Sequence, residues 1–177
     1  MKTVTIKRYL TEQSLADALK TLSGSRWRGV QKQLPGSRYK WDAAYKAGRK
    51  LVLVDYDGDQ HYRDALRAKY DALKDREAKA AGHKIVRFPY WVQLDDVTLR
   101  HYFALRGHIE QSFAHGFITT RFFPASFCEL GIERFRRELK GLPQPVKRAV
   151  IASLKQKAKK HGARYVVPAS LRELVAA

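Results

Sequence analysis

The stretch Lys50-Leu51-Val52-Leu53-Val54-Asp55-Tyr56-Asp57-Gly58-Asp59-Gln60-His61 decides how this chain is read. Its first half is aliphatic and β-branched, the composition of a strand buried on both faces. Its second half turns acidic at once, and Gly58 closes the strand. Side chains alternate along a strand, so Asp55 and Asp57 share a face, where two like charges raise each other's pKa. Folding alone gives no reason to crowd them there. A divalent cation does, because hard cations such as Mg²⁺ take carboxylate oxygen. Asp59 fits an acidic turn better. Beside three carboxylates, His61 becomes a candidate acid–base or phosphate-orienting group.

Upstream, residues 39–45 read as a strand with aromatic residues at odd positions, and Ala47-Gly48 as a hairpin turn. The hairpin sets Asp42 roughly opposite Leu53, diagonal to Asp55, so that three carboxylates converge on one edge of the sheet. Thr11-Glu12-Gln13-Ser14 opens a helix carrying Leu15, Ala18, Leu19 and Leu22 at helical spacing, ended by Gly24. Residues 25–37 are polar, basic and turn-rich. Downstream, residues 63–81 predict a helix with Leu66, Tyr70 and Leu73 on one face and Gly82 as its C-cap. Residues 84–88 predict a third strand, stopped by Pro89. The order helix, strand, strand, helix, strand is an α/β layer domain over residues 1–98.

Residues 99–177 read as a separate basic, helical extension for DNA binding or dimerisation. Helices are expected over residues 99–113, 129–140 and 145–160, then an extended piece at 164–168 and a final helix at 170–175. Phe122, Phe123, Phe127 and Trp91 suit either a core or base stacking. The run Lys155-Gln156-Lys157-Ala158-Lys159-Lys160 is a solvated face or a phosphate contact.

Charge narrows the function. The 177 residues hold 35 Lys+Arg against 17 Asp+Glu, a net +18, and the pI is near 10.2. Such a surface favours a polyanion, most simply nucleic acid. The excess is shared: residues 99–177 carry 15 basic and 5 acidic residues, leaving 20 and 12 for residues 1–98. No apolar run is long enough for a transmembrane helix, and MKTVTIKRYL is not a secretory signal. A lone cysteine, Cys128, excludes an internal disulfide and a multi-cysteine zinc site; it suits a reducing cytoplasm. An acidic site in a basic protein is the layout of a phosphodiester-cleaving enzyme, whose basic surface holds the backbone while its acids hold the metal.

Taken as a set, several segments resemble the small endonuclease domains related to the very-short-patch-repair (Vsr) nucleases, within the restriction-endonuclease-like PD-(D/E)XK superfamily. Trp41-Asp42 and Leu51 to His61 are similar to the family's core. Residues 70–75 followed by Ala81-Gly82-His83-Lys84-Ile85-Val86-Arg87-Phe88 are similar to its helix, glycine and closing strand. Glu12-x-x-Leu15-x-x-x-Leu19 is similar to its first helix and glutamate. The resemblance covers about residues 11–98.

It implies a restriction-endonuclease-like fold and a Mg²⁺-dependent DNA endonuclease, with Mn²⁺ as an alternative metal. Asp42, Asp55 and Asp57 would be the metal-site acids, with Asp57 and Glu12 assisting directly or through water. His61 would match the family histidine. Asp55 stands where glutamate is usual, and Asp57 where the superfamily often has lysine, so Lys74 or His61 would activate water. Gln60 would position water or phosphate, or support the hairpin. Arg26, Arg28, Arg38, Lys40 and Arg63 are candidate backbone contacts. A homodimer is among the expected states, since two-fold symmetry matches that of duplex DNA. The rival expectation is a non-catalytic DNA-binding protein with a degenerate nuclease fold.

Overall fold

A computed structural model describes residues 2–118 and 122–176. The chain runs β1 (Thr3–Ile6), α1 (Glu12–Ser23), β2 (Trp27–Gln33), β3 (Lys40–Ala47), β4 (Lys50–Asp57), α2 (Gln60–Arg63), α3 (Ala65–Ala80), β5 (Lys84–Pro89), α4 (Asp96–Phe103), β6 (His108–Gln111), α5 (Glu129–Gly141), α6 (Gln144–His161) and α7 (Ala163–Val166). A four-stranded sheet has the order β2-β3-β4-β5, and β1 pairs with β6 in a separate parallel ribbon. The β2–β3 and β3–β4 pairs are antiparallel, whereas β4–β5 is parallel. The protein is therefore α/β, with a mixed sheet flanked by helices. Among the described residues no helix is long and apolar enough to cross a membrane.

The aliphatic run in β4 is continuous because both of its faces are covered. Val52 and Val54 join the main core with Leu15, Leu19 and Phe88. Leu53 faces the other way, into a smaller cluster with Trp41, Ala44 and Ala78. Helix α1 starts where the sequence places it. The Thr11 hydroxyl accepts from the Ser14 amide at 3.2 Å, and the Ser14 hydroxyl accepts from the Thr11 amide at 2.9 Å, a reciprocal cap.

Five local expectations are corrected. Residues 25–37 contain the edge strand β2, with a bulge between Trp27 and Gly29. Among the described residues it ladders with β3 alone, and Val30 is left exposed, so no alternation of apolar residues announces it. The helix expected over residues 99–113 stops at Phe103, and Ala104 takes a left-handed conformation. The chain then enters β6, which exists because β1 is there to pair with it. The piece at 164–168 is largely the single turn α7, and the last expected helix is a 3-10 turn over Ala169–Leu174.

The fifth correction matters most for function. Helix α3 lies inside out: Leu66, Tyr70 and Leu73 are 75%, 39% and 41% exposed, whereas Asp71 and Lys74 are buried. The inner face sits over the acidic end of β4, where charged partners are needed more than apolar ones.

The boundary expected at residue 98 is not a break in packing. Phe117, Phe123, Phe127, Phe135, Val150 and Leu154 belong to the same core cluster as Leu19, Val54 and Trp91. Trp91 stacks on Phe117, with ring centroids 6.2 Å apart, and meets Phe135 edge-on at 5.1 Å. These aromatic residues are core, and residues 99–177 complete it.

Helix α5 docks so closely that a side chain at Gly131 has no room. A Cβ there would lie 1.8 Å from the Tyr62 carbonyl oxygen, at the point where the Cys128 amide donates to that oxygen at 3.0 Å. Gly131→Ala should therefore cost about 3 kcal/mol, the upper range for overpacking. Chemical denaturation of the variant checks this, and an unchanged midpoint would contradict the close approach.

Candidate functional site

The acidic end of β4 opens into a cavity of about 310 Å³ whose walls include Glu12, Asp42, Asp55, Gln60, His61 and Lys74. Five of the six predicted site residues therefore meet in one place. The sixth, Asp57, does not line it.

Strand pairing positions the two central aspartates. Ala43 pairs with Val54 and Ala47 with Lys50, so the hairpin register sets Asp42 opposite Asp55 itself, not opposite Leu53 as expected. The difference arises because the two-residue turn is Gly48-Arg49, one position later than Ala47-Gly48. The Asp42 amide donates to Asp55 Oδ1 at 3.4 Å, and the Tyr56 amide donates to Asp42 Oδ2 at 2.8 Å. Burial and the neighbouring charge of Asp55 push the Asp42 carboxyl up to about 6.

Asp55 is buried, and burial raises its carboxyl despite Lys74 and Arg87, which pull it down. Lys74 Nζ donates to Asp55 Oδ2 at 2.5 Å and lies 4.2 Å from the centroid of the Trp41 ring. Arg87 Nη1 is 3.3 Å from the same carboxylate oxygen.

Asp57 is enclosed elsewhere. Arg87 grips it through Nη1 at 2.9 and 3.2 Å, and Arg134 of α5 donates to its other side. Burial would raise this carboxyl, but the two guanidiniums prevail and hold it below the usual carboxylate range. Arg134 also donates to Glu138 Oε1 at 2.7 Å.

His61 joins the two regions. Its Nδ1 lies 2.6 Å from Asp71 Oδ2 and 3.2 Å from Asp57 Oδ1. Both neighbours are carboxylates, so Nδ1 carries a proton and Nε2 is left for the cavity that His61 lines.

Among the described residues, the group of three acid or histidine side chains whose ligand atoms lie close enough for a cation is Asp57, His61 and Asp71, within 4.8 Å of one another and all buried. Arg87 and Arg134 already neutralise it, so a cation would have to displace a buried guanidinium. Asp42 and Asp55 line the open cavity instead, with Lys74 and Arg87 paired to Asp55.

Glu12, exposed at the start of α1, accepts weakly from Gln31 Nε2 at 3.5 Å. Asp59 pairs with Arg63 at 2.8 Å, away from the cavity, as its reading as a turn former implies. Of the five basic candidates, Arg38 and Lys40 line the cavity, whereas Arg26 and Arg28 bond to nearby carbonyls. Sequence reasoning passed over Asp71, Arg87, Arg134, Arg67 and Tyr70. Only Asp71 carried a signal, since it stands three residues from Lys74 and so shares its helix face.

Comparison with known proteins finds no matching family model, no matching curated protein and no matching solved structure. The site therefore rests on its own geometry.

One consequence is a pH effect on stability. A carboxyl raised from 3.8 to about 6 binds its proton more tightly folded than unfolded, so Asp42 lowers stability as pH rises from about 4 to about 6. Asp42→Asn keeps an acceptor for the Tyr56 amide and removes the charge. At pH 7 it should stabilise the metal-free protein by about 1–2 kcal/mol, after discounting for solvent screening of this half-buried group. Below pH 4 the gain should vanish, which thermal melts across pH measure; a gain independent of pH would contradict the assignment.

Proposed function

We propose that the protein is a metal-dependent DNA endonuclease of the restriction-endonuclease-like, Vsr-related type. The observation that carries this reading is the meeting of Asp42, Asp55 and Lys74 in one open cavity of a chain with net charge +18. The donor set fits a hard cation. Two carboxylates face each other across a hairpin, one of them raised by burial and by the other's charge, and both residues line the cavity. Held there, Mg²⁺ or Mn²⁺ would supply an activated water and stabilise the leaving oxygen of a phosphodiester.

The remaining roles belong to the chain's own groups. Lys74, fixed between Asp55 and the Trp41 ring, offers N–H donors to an attacking water or a phosphate oxygen. It takes the place of the lysine absent at Asp57. His61, oriented through Nδ1 by Asp71, holds or moves a proton at Nε2. Arg38, Lys40 and Arg67 on the cavity wall grip the backbone. Asp57 serves this reading from behind the site, by anchoring Arg87 and His61.

A second reading, a DNA-binding protein with a degenerate nuclease site, draws on the ion pairs that neutralise Asp55 without a metal. Supercoiled plasmid incubated with Mg²⁺ or Mn²⁺ separates the two. Nicked or linear product is expected; tight binding with plasmid left intact would favour the second reading.

Both readings require phosphate contacts. With roughly six to ten of them, affinity should fall by about 10³–10⁵ between 50 and 200 mM salt, because each bound cation releases a counterion. Anisotropy titrations in the absence of metal test this, and a flat salt dependence would contradict it.

A further inference from the structure

Helix α3 presents an apolar stripe where a structural helix would present polar groups. Leu66, Tyr70 and Leu73 stand one turn apart and are 75%, 39% and 41% exposed. The stripe is continuous with the candidate site, because Tyr70 also lines the cavity that holds Asp42 and Asp55. Cations frame it. Arg67 lies over the Tyr70 ring at 5.6 Å, the Tyr39 ring meets Tyr70 edge-on at 5.0 Å, and Arg38 lies over Tyr39 at 5.2 Å.

We propose that this stripe is a stacking ledge for unpaired DNA bases, so that the strand entering the cavity is single-stranded or locally unpaired. The proposal rests on the nuclease reading and specifies its substrate. A duplex hides its base faces and shows phosphates and groove edges, so exposed Leu and Tyr side chains gain nothing from it. An unpaired strand brings base faces and phosphates together, matching a ledge in which apolar and cationic groups alternate. Tyr70 suits the task because its ring is rigid and part of it is already fixed by Tyr39 and Arg67. Charge complementarity favours DNA over a second copy of this chain, which would bring its own basic ledge against Arg38 and Arg67.

The test is binding, measured without metal so that it does not depend on cleavage. Full-length protein is titrated into labelled oligo(dT) and into a labelled hairpin duplex, and Tyr70→Ala and Tyr70→Phe are compared with wild type. Tyr70→Ala should weaken oligo(dT) binding by about tenfold, the usual effect of losing one base-stacking aromatic. It should leave the duplex nearly unchanged, and Tyr70→Phe should keep most of the affinity. Equal losses on both probes, or no loss on oligo(dT), would overturn the ledge while leaving the nuclease reading intact. No binding of either probe at low salt would overturn both. Self-association abolished by Leu66→Asp, with DNA affinity indifferent to Tyr70, would assign the stripe to a second copy and overturn the proposal.

Discussion

Arg134→Ala should destabilise the protein by about 3 kcal/mol, because it strips one guanidinium from a carboxylate that has no access to water. Asp57 is fully buried and depends on Arg87 and Arg134 for its charge. Arg134 also stacks over the Tyr62 ring at 4.6 Å, so its loss removes packing as well. For a chain of this length the melting temperature should fall by about 10 °C. Arg134→Lys should fall in between, keeping a charge but losing the planar fork. The same dependence bears on the expectation that residues 1–98 form a domain separate from residues 99–177. Cutting after Thr98 removes Arg134 together with Phe117, Phe123 and Phe135, and should leave an insoluble fragment. A soluble, cooperatively melting fragment, or an unchanged melt for Arg134→Ala, would show that the C-terminal helices are accessory.

Acid should expose the same bonds. Asp57 is held below the ordinary carboxylate range, so its pairs stabilise the fold above that range and are lost as pH falls through its lowered value.

Asp42→Asn should abolish cleavage, by about 10³-fold or more, while the protein melts at the same or a higher temperature. The rate loss follows from removing one of two carboxylates that would hold the metal, whose stabilisation of the transition state is several kcal/mol, each 1.4 kcal/mol being about tenfold. The stability gain follows from removing a charge that burial and Asp55 disfavour. Asp55→Asn should lose cleavage equally but fold less well, because Lys74 would be left buried without its carboxylate. The crowding of Asp55 and Asp57 alone would have suggested the opposite sign. The difference lies in Lys74 and Arg87, which neutralise Asp55 from elements far away in sequence. Asp59→Asn should do little, since it ends only a partly exposed pair with Arg63. Cleavage rates and melting curves on the same preparations separate these outcomes. An Asp42→Asn protein that cleaves normally would remove the site from the reaction.

What the sequence conveyed depended on the range of the forces involved. The β4 run, the α1 cap and the Gly82 stop are local signals, and they placed three strands and two helices. The acidic end of β4 was legible because it breaks the rule for a buried strand, and with Asp42 and His61 it led to the cavity. β2 and β6 were not legible, because each is stabilised mainly by a partner strand and carries little pattern of its own. The orientation of α3 was misread for a related reason. Its Leu and Tyr spacing names an apolar face, but burial was decided by Asp71 and Lys74 meeting His61 and Asp55. The separation of Asp57 from Asp42 and Asp55 was hidden too, because its partner Arg134 lies 77 residues away.

The measurement that bears most directly on the central claim is a Mn²⁺ titration followed by electron paramagnetic resonance, on wild type, Asp42→Asn and Asp71→Asn, each confirmed to be folded. It reports where a cation binds without requiring DNA or turnover. A bound signal in wild type that disappears in Asp42→Asn and persists in Asp71→Asn is the result predicted for a metal held by Asp42 and Asp55. A signal that survives Asp42→Asn and is lost in Asp71→Asn would place the cation in the Asp57–His61–Asp71 cluster and contradict the account.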